Sequence, residues 1–310
     1  MAAAAAELFP NGAWDAHHHI FDPERYAYSP TRHLTPRPAT IAQFIAFKKT
    51  LGITKSVLTH GLSYGSDCSS LRGFVAELGS SDTKAIGVID PQTVTGDELR
   101  EMQRAGICGI RVNLYQYKAM HDMELQKAAL RAHANAIKDH CPGWSMGFTH
   151  THPEFWVELR PFLQREIVPS GIRIVTDHFA LLKGRSMLQG GAGEAIEIEQ
   201  PGFREITELM RAGHLYVKIS APYRVSTQAP GYEDLKPLVR AFFDANPLQV
   251  VWGSDWPHTP LMKVLTPEEA LKETPYLNID DLAWLRSLRS WLSDEEWNTL
   301  MVINPAALYS

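Results

Sequence analysis

Eight short apolar runs rich in β-branched residues, each followed by a stretch of helical periodicity, constrain this 310-residue chain more than any other feature. The runs are AWDAHHH, KSVLTHG, KAIGVID, CGIRVNL, WSMGFTH, RIVTDHF, LYVKIS and QVVWGSD. Behind the second, Leu71, Phe74, Val75 and Leu78 recur at the i, i+3, i+4, i+7 spacing of one helix face, and Gly79 stands where a C-terminal cap belongs. Behind the third, Thr95 and Glu98 have capping-box spacing. FREITELMRAG places Phe203, Ile206 and Met210 on one side and ends at Gly213, and YEDLKPLVRAFFDAN does likewise with Leu235, Leu238, Val239 and Phe242. Eight strand–helix units in about 250 residues match the arithmetic of a (β/α)8 barrel. An open doubly wound sheet would announce a glycine-rich phosphate turn after its first strand; here that place reads HHHIFDP. The expected fold is α/β, a single (β/α)8 TIM barrel spanning 1–310 as one domain, with an N-terminal extension over 1–12 and extra C-terminal helices over 266–310.

The composition excludes several function classes. With 45% hydrophobic residues, 21% charged residues and a net charge of −5, nothing is basic enough to favour nucleic acid. No run approaches the ~18 apolar residues of a membrane span. Cys68, Cys108 and Cys141 lie far apart, so neither a disulfide framework nor a thiolate zinc site is expected. MAAAAAELFP lacks the basic n-region of a signal peptide. These features point to a cytoplasmic globular protein with a small-molecule substrate, and they leave homo-oligomerisation open. Two irregular stretches stand out as candidate lids: 20–39, too long for a simple βα connection, and the glycine-rich 189–199, which lacks the Lys-Ser/Thr of a phosphate loop.

NGAWDAHHHIFDP holds three consecutive histidines. Successive side chains of a strand point to opposite faces. His17 and His19 therefore share one face with Asp15, and His18 packs among the outer helices. In a barrel the C-terminal strand ends carry the active site, so His17 and His19 aim into the mouth as metal ligands or hydrogen-bonding groups. Other strand ends add His150 and His152 (FTHTH), His178 (TDHF) and Asp255 (GSDWPH), all of types that Zn²⁺ accepts. His60, His121, His133, His140, His214 and His258 are expected on the surface, in loops or as caps. Tyr26, Tyr28, Tyr115, Tyr117, Tyr223 and Trp256 are candidate pocket walls.

WDAHHHIFDP, GIRVNLY, TDHF, KISAPYR, VVWGSDWPHT and INPAALY, in this order, resemble the amidohydrolase superfamily. The likeness is greatest to its amidohydrolase-related lactonases, typified by 2-pyrone-4,6-dicarboxylate lactonase and the sugar-acid lactonases. The resemblance covers roughly residues 13 to 308. It implies a hydrolase whose His17, His19, His178 and Asp255 form the catalytic set, with Asp255 as general base activating water. It further implies that Arg111 and Arg224 grip a substrate carboxylate. The family's additional arginines are replaced by LYQYK and HFALLK, and no lysine closes strand four to bridge two metals. The expected cofactor is one divalent metal, Zn²⁺, held by His17, His19, His178 and Asp255, with metal-free catalysis as the other option. His150 or His152 would complete the set or touch substrate, beside Tyr26, Tyr115 and Tyr223. The expected reaction is opening of a carboxylated or polyhydroxylated lactone. The alternative is metal-dependent, non-oxidative decarboxylation of a small aromatic or unsaturated acid.

Overall fold

The computed structural model describes residues 8–149, 152–188, 200–260 and 266–310. Eight parallel strands follow one another around a barrel in sequence order. They are β1 Trp14–His18, β2 Lys55–Thr59, β3 Thr83–Gly87, β4 Ile107–Arg111, β5 Ser145–Phe148, β6 Arg173–Thr176, β7 Tyr216–Ser220 and β8 Val250–Gly253. Each lies inside one of the eight apolar runs or within one residue of it. The ends of β1 and β8 meet through Asp255 N–H donating to the His17 carbonyl and His19 N–H donating to the Trp256 carbonyl, both at 2.8 Å.

Around the strands lie α1 Ile41–Leu51, α2 Ser69–Leu78, α3 Gly96–Arg104, α4 Met123–Ile137, α5 Trp156–Phe162, α6 Phe203–Arg211 and α7 Lys236–Ala245. Their boundaries follow local chemistry. Thr95 and Glu98 form the capping box of α3 in both directions. Gly79 ends α2 by donating its N–H to the Val75 carbonyl. Gly213, at φ +72°, follows the α6 cap residue Ala212 in a conformation that side chains disfavour. The 266–310 region supplies α8 Pro267–Ala270, α9 Asp281–Ser290, α10 Asp294–Asn298 and α11 Asn304–Tyr309. Among the described residues no helix is long and apolar enough to cross a membrane.

The alternation rule fails at one place in β1. Asp15 pairs with Ser56 and His18 with Leu58, so Ala16 and His17 together oppose Val57. This is a β-bulge, which adds a residue and re-aims the side chains beyond it. Trp14 and Ala16 cluster inside the barrel with Val57, Ile86, Val175 and Val251, while Asp15 points away and is held by Ser254 Oγ at 2.6 Å. Asp15 therefore does not share the face of His17, contrary to the strict period-two expectation. His18 does turn outward and stacks on Phe44 of α1, ring centroids 3.7 Å apart. The bulge fits because residue 253 is glycine: a Cβ there would lie 2.5 Å from the His17 Cβ.

Segment 20–39 packs over the mouth. Phe21 bridges to Ala39, and Thr35–Pro36 pairs in parallel with Glu273–Thr274. The proposed lid 189–199 lies outside the described residues, as do positions 1–7 of the N-terminal extension.

Candidate active site

The polar groups gather where the strands end. His17 comes from β1 and His19 from just beyond it, Arg111 from the end of β4, Asp177 and His178 from the turn after β6, and Asp255 from the turn after β8. Lys218 and Ser220 stand on β7, and Tyr223 and Arg224 lie in the turn behind it. His178 opens a run of four residues with φ between +53° and +59°, and Asp255 has φ +61°. Left-handed backbone costs non-glycine residues on the order of 1 kcal/mol each and collects at functional sites. The Ser220 hydroxyl accepts from the His178 N–H at 3.3 Å and helps hold that turn.

Asp255 divides its two oxygens between different tasks. Oδ2 accepts from the Tyr223 hydroxyl at 2.5 Å and from Arg224 Nη2 at 2.9 Å. Oδ1 faces three imidazoles instead, with Nε2 of His17 at 3.5 Å, of His19 at 3.6 Å and of His178 at 3.9 Å. His19 Nδ1 bonds the Thr59 carbonyl at 2.8 Å. A carbonyl only accepts, so Nδ1 carries a proton and Nε2 is the nitrogen turned toward Asp255. His178 Nδ1 is anchored on Ser220 Oγ at 2.9 Å. Among the described residues His17 Nε2 and Asp255 Oδ1 have no hydrogen-bond partner although both are buried, a costly arrangement for polar atoms. Ligand atoms from His17, His19 and Asp255 lie within 4.8 Å of one another, as do those from His17, Asp177 and His178. Three imidazole Nε2 atoms converging on one carboxylate oxygen fit a divalent cation.

Burial sets the protonation states. It holds the His17 imidazole well below its usual pKa, with Lys218 adding to the effect. It also pushes His178 down to about 4, partly against the pull of Asp255. Burial alone would lift the Asp255 carboxyl, but Arg224 and His178 outweigh it and hold it well below the carboxylate range. The centre therefore combines the neutral imidazoles of His17 and His178 with an ionised carboxylate.

Above it opens a cavity of 130 Å³. Its walls include His33 and Leu34 from segment 20–39, Arg111, and Tyr115, and it shares His33 and Tyr115 with an outer recess of 520 Å³ bordered by Arg32 and Lys118. Arg111 reaches toward Asp177 Oδ2 at 3.8 Å and the His60 carbonyl at 3.5 Å.

The sequence-predicted set is partly assembled here. His17, His19, His178 and Asp255 converge, and Arg111 and Tyr115 line the cavity. Arg224 also borders it, but its guanidinium is committed to Asp255 and to the Thr259 carbonyl, both at 2.9 Å. It therefore orients a carboxylate of the protein rather than standing free for a substrate. Tyr223 likewise serves Asp255. Tyr26 lies away from the cavity, its ring edge-on to Phe74 at 5.1 Å. Tyr28 donates to the Pro36 carbonyl, Tyr117 meets His133, and Trp256 packs on Phe44 and Phe47. His152 pairs with His121 at 2.5 Å, and His150 lies outside the described residues. Of the histidines expected on the surface, in loops or as caps, three are buried: His60 and His258 in loops, beside Ser70 and Asp281, and His133 within α4, bonded to the Ala129 carbonyl. Each has a local partner that makes burial affordable.

Sequence reasoning missed Asp177, Lys218 and His33. Lys218 carries the clearest signal, a lone charge inside the apolar run LYVKIS, because lysine is rarely buried unless paired. Asp177 sits within the TDHF run already singled out for His178.

The profile of the amidohydrolase family matches residues 14–310. A 4-sulfomuconolactone hydrolase from Hydrogenophaga intermedia is 30% identical over 303 residues, covering 97% of this chain and 90% of that relative. A 2-pyrone-4,6-dicarboxylate hydrolase from Comamonas testosteroni is 28% identical over 273 residues, covering 84% of this chain and 82% of that one. The crystal structure of an Agrobacterium tumefaciens protein superposes with a TM-score of 0.75 at 24% identity, over 97% and 96% of the two chains, and establishes likeness of fold.

Proposed function

The chain belongs to the amidohydrolase family, and from that premise we propose that it is a hydrolase opening a small lactone that carries an acidic substituent. The observation that supports this reading best is Asp255 Oδ1, an ionised carboxylate oxygen facing the imidazoles of His17, His19 and His178 beneath a cavity walled by Arg111. The two relatives are named for cyclic esters bearing sulfonate or carboxylate groups.

Because Tyr223 and Arg224 saturate Oδ2, Oδ1 is the oxygen that takes a proton from the attacking water. The water oxygen bonds to the lactone carbonyl carbon. The proton then passes from Oδ1 to the ring oxygen as the ring C–O bond breaks, leaving a hydroxy acid. A divalent cation held by His17, His19, His178 and Asp255 (zinc, from the imidazole-rich donor set) would polarise the carbonyl and acidify water. His19 is kept ready by its bond to Thr59 and His178 by Ser220, so neither ring reorients during turnover. Arg111 holds the acidic substituent through charge-assisted hydrogen bonds, and the outer recess with Arg32 and Lys118 draws anions toward it. Three free cysteines fit operation in a reducing cytoplasm.

The test is a panel of small lactones with and without a carboxylate or sulfonate, followed by acid release. Acidic lactones should turn over fastest, and Arg111→Ala should lower their kcat/KM by about 10²-fold, the loss of one or two charge-assisted bonds, with a smaller loss on neutral lactones. Equal loss on both would remove the clamp role. Carbon dioxide release from unsaturated acids, without lactone turnover, would establish the decarboxylase alternative instead.

A further inference from the structure

Beneath His17 lies a buried ion pair that the reaction above does not use. Lys218 Nζ stands 3.2 Å from Asp177 Oδ1, and the two side chains are 4% and 3% exposed. Both groups also reach His17 Nδ1, Lys218 at 3.1 Å and Asp177 Oδ1 at 3.3 Å. Below, the Lys218 ammonium rests 5.9 Å from the ring centroid of Tyr309. On the far side, Asp177 Oδ2 accepts from Thr149 Oγ1 at 3.2 Å. Burying such a pair gains little net stability over an apolar filling, so its place under one ligand imidazole calls for another reason.

Nδ1 of His17 can satisfy only one of its two neighbours. An ammonium has donors alone, so a bond from Lys218 requires a bare Nδ1 and puts the ring proton on Nε2. A bond to Asp177 requires Nδ1–H and leaves Nε2 bare. His19 has no such choice, since Thr59 settles it. We propose that Lys218 and Asp177 compete for Nδ1 of His17 and so decide whether this histidine presents an N–H or a lone pair in front of Asp255. In the arrangement seen, Lys218 Nζ stands nearer Nδ1 than Asp177 Oδ1 does, 3.1 Å against 3.3 Å, which favours the bond from Lys218. Nε2–H then faces Asp255 Oδ1 at 3.5 Å. A cation needs the lone pair, so on loading the ring proton moves from Nε2 to Nδ1 and bonds Asp177, while Lys218 keeps Asp177 as its partner. The ring gains and loses no net proton. The loading half of this proposal rests on the cation reading of the site; the tautomer half does not.

The two residues should therefore shift cation affinity in opposite directions. Lys218→Met removes the competitor and should tighten zinc by about 10-fold. Asp177→Asn replaces the carboxylate acceptor and should weaken zinc by about 10- to 100-fold, the usual span for outer-shell partners of ligand histidines. The experiment combines zinc competition against a chromophoric chelator with long-range ¹H–¹⁵N spectra of ¹⁵N-histidine-labelled, metal-free protein, His17 being assigned by its loss in His17→Gln. The expected result is Nε2–H in the metal-free wild type, and Nδ1–H after one equivalent of zinc and in metal-free Lys218→Met. Nδ1–H in the metal-free wild type would overturn the proposal, and so would zinc weakening to the same extent in both variants. If a variant does not fold, the wild-type spectrum alone decides. Nε2–H with no zinc binding would keep the role of Lys218 and remove the cation reading.

Discussion

The two ends of the barrel stand on the same eight strands yet are filled by opposite chemistry. At the floor, Trp14, Ala16, Val57 and Val251 close on Leu308 and Tyr309 of α11. Burying apolar surface of this kind contributes roughly 25 cal/mol per Å². At the mouth, a step further along the same strands, stand His17, Asp177, Lys218 and Asp255, buried and charged or polar. There the cost of desolvation largely cancels the attraction between charges, and several residues hold left-handed backbone. The floor and the strand ladders stabilise a mouth that would not assemble by itself. Stability and chemistry are thus separated along the barrel axis, as expected where rigid strands present reactive ends.

That separation can be broken most visibly from below. Leu308→Ala opens a cavity under the barrel and should cost about 2–5 kcal/mol of unfolding free energy, measured by denaturant titration, while turnover per folded molecule stays within about threefold. A parallel collapse of turnover would mean that floor and mouth are coupled.

Acid should act on the mouth. Burial, reinforced by Arg111, lowers His33 to about 4 and His60 to about 3 from a reference of 6.5. Both are therefore neutral when folded and bind protons more tightly when unfolded. The stability they contribute is complete above pH 6.5 and is lost as pH falls through that value toward their folded pKa. These two rings alone should remove about 2–4 kcal/mol between pH 7 and pH 5, read as a falling Tm. A Tm flat over that window would contradict the buried, neutral state of both rings. The smallest effect is expected at the floor. Among the described residues the buried Tyr309 hydroxyl has no hydrogen-bond partner, so Tyr309→Phe should leave stability unchanged or raise it by less than about 1 kcal/mol, and a clear loss would reveal a partner for that hydroxyl.

The strands and helices were far more legible in the sequence than the contacts made at the mouth. Strands announce themselves through β-branched apolar runs and helices through their period and caps, as Thr95–Glu98 and Gly79 show, because those signals are local. The convergence of His17, His19, His178 and Asp255 was legible because strand ends in a barrel share one rim. What stayed hidden depends on contacts distant in sequence. Arg224 is engaged by Asp255, Tyr26 by Phe74, and the bulge that turns Asp15 away from His17 needs Gly253 on a strand more than two hundred residues downstream. Buried histidines such as His60 and His133 look like any other histidine until their partners are known.

The most direct test of the account is the turnover of an acidic lactone by Asp255→Asn beside the wild type, with Tm recorded for both. The asparagine keeps the size of the side chain but removes the proton-accepting oxygen that faces His17, His19 and His178. The account predicts a fall in kcat of about 10³-fold with a Tm within about 5 °C of the wild type. A variant that folds normally and retains kcat within about tenfold would contradict it.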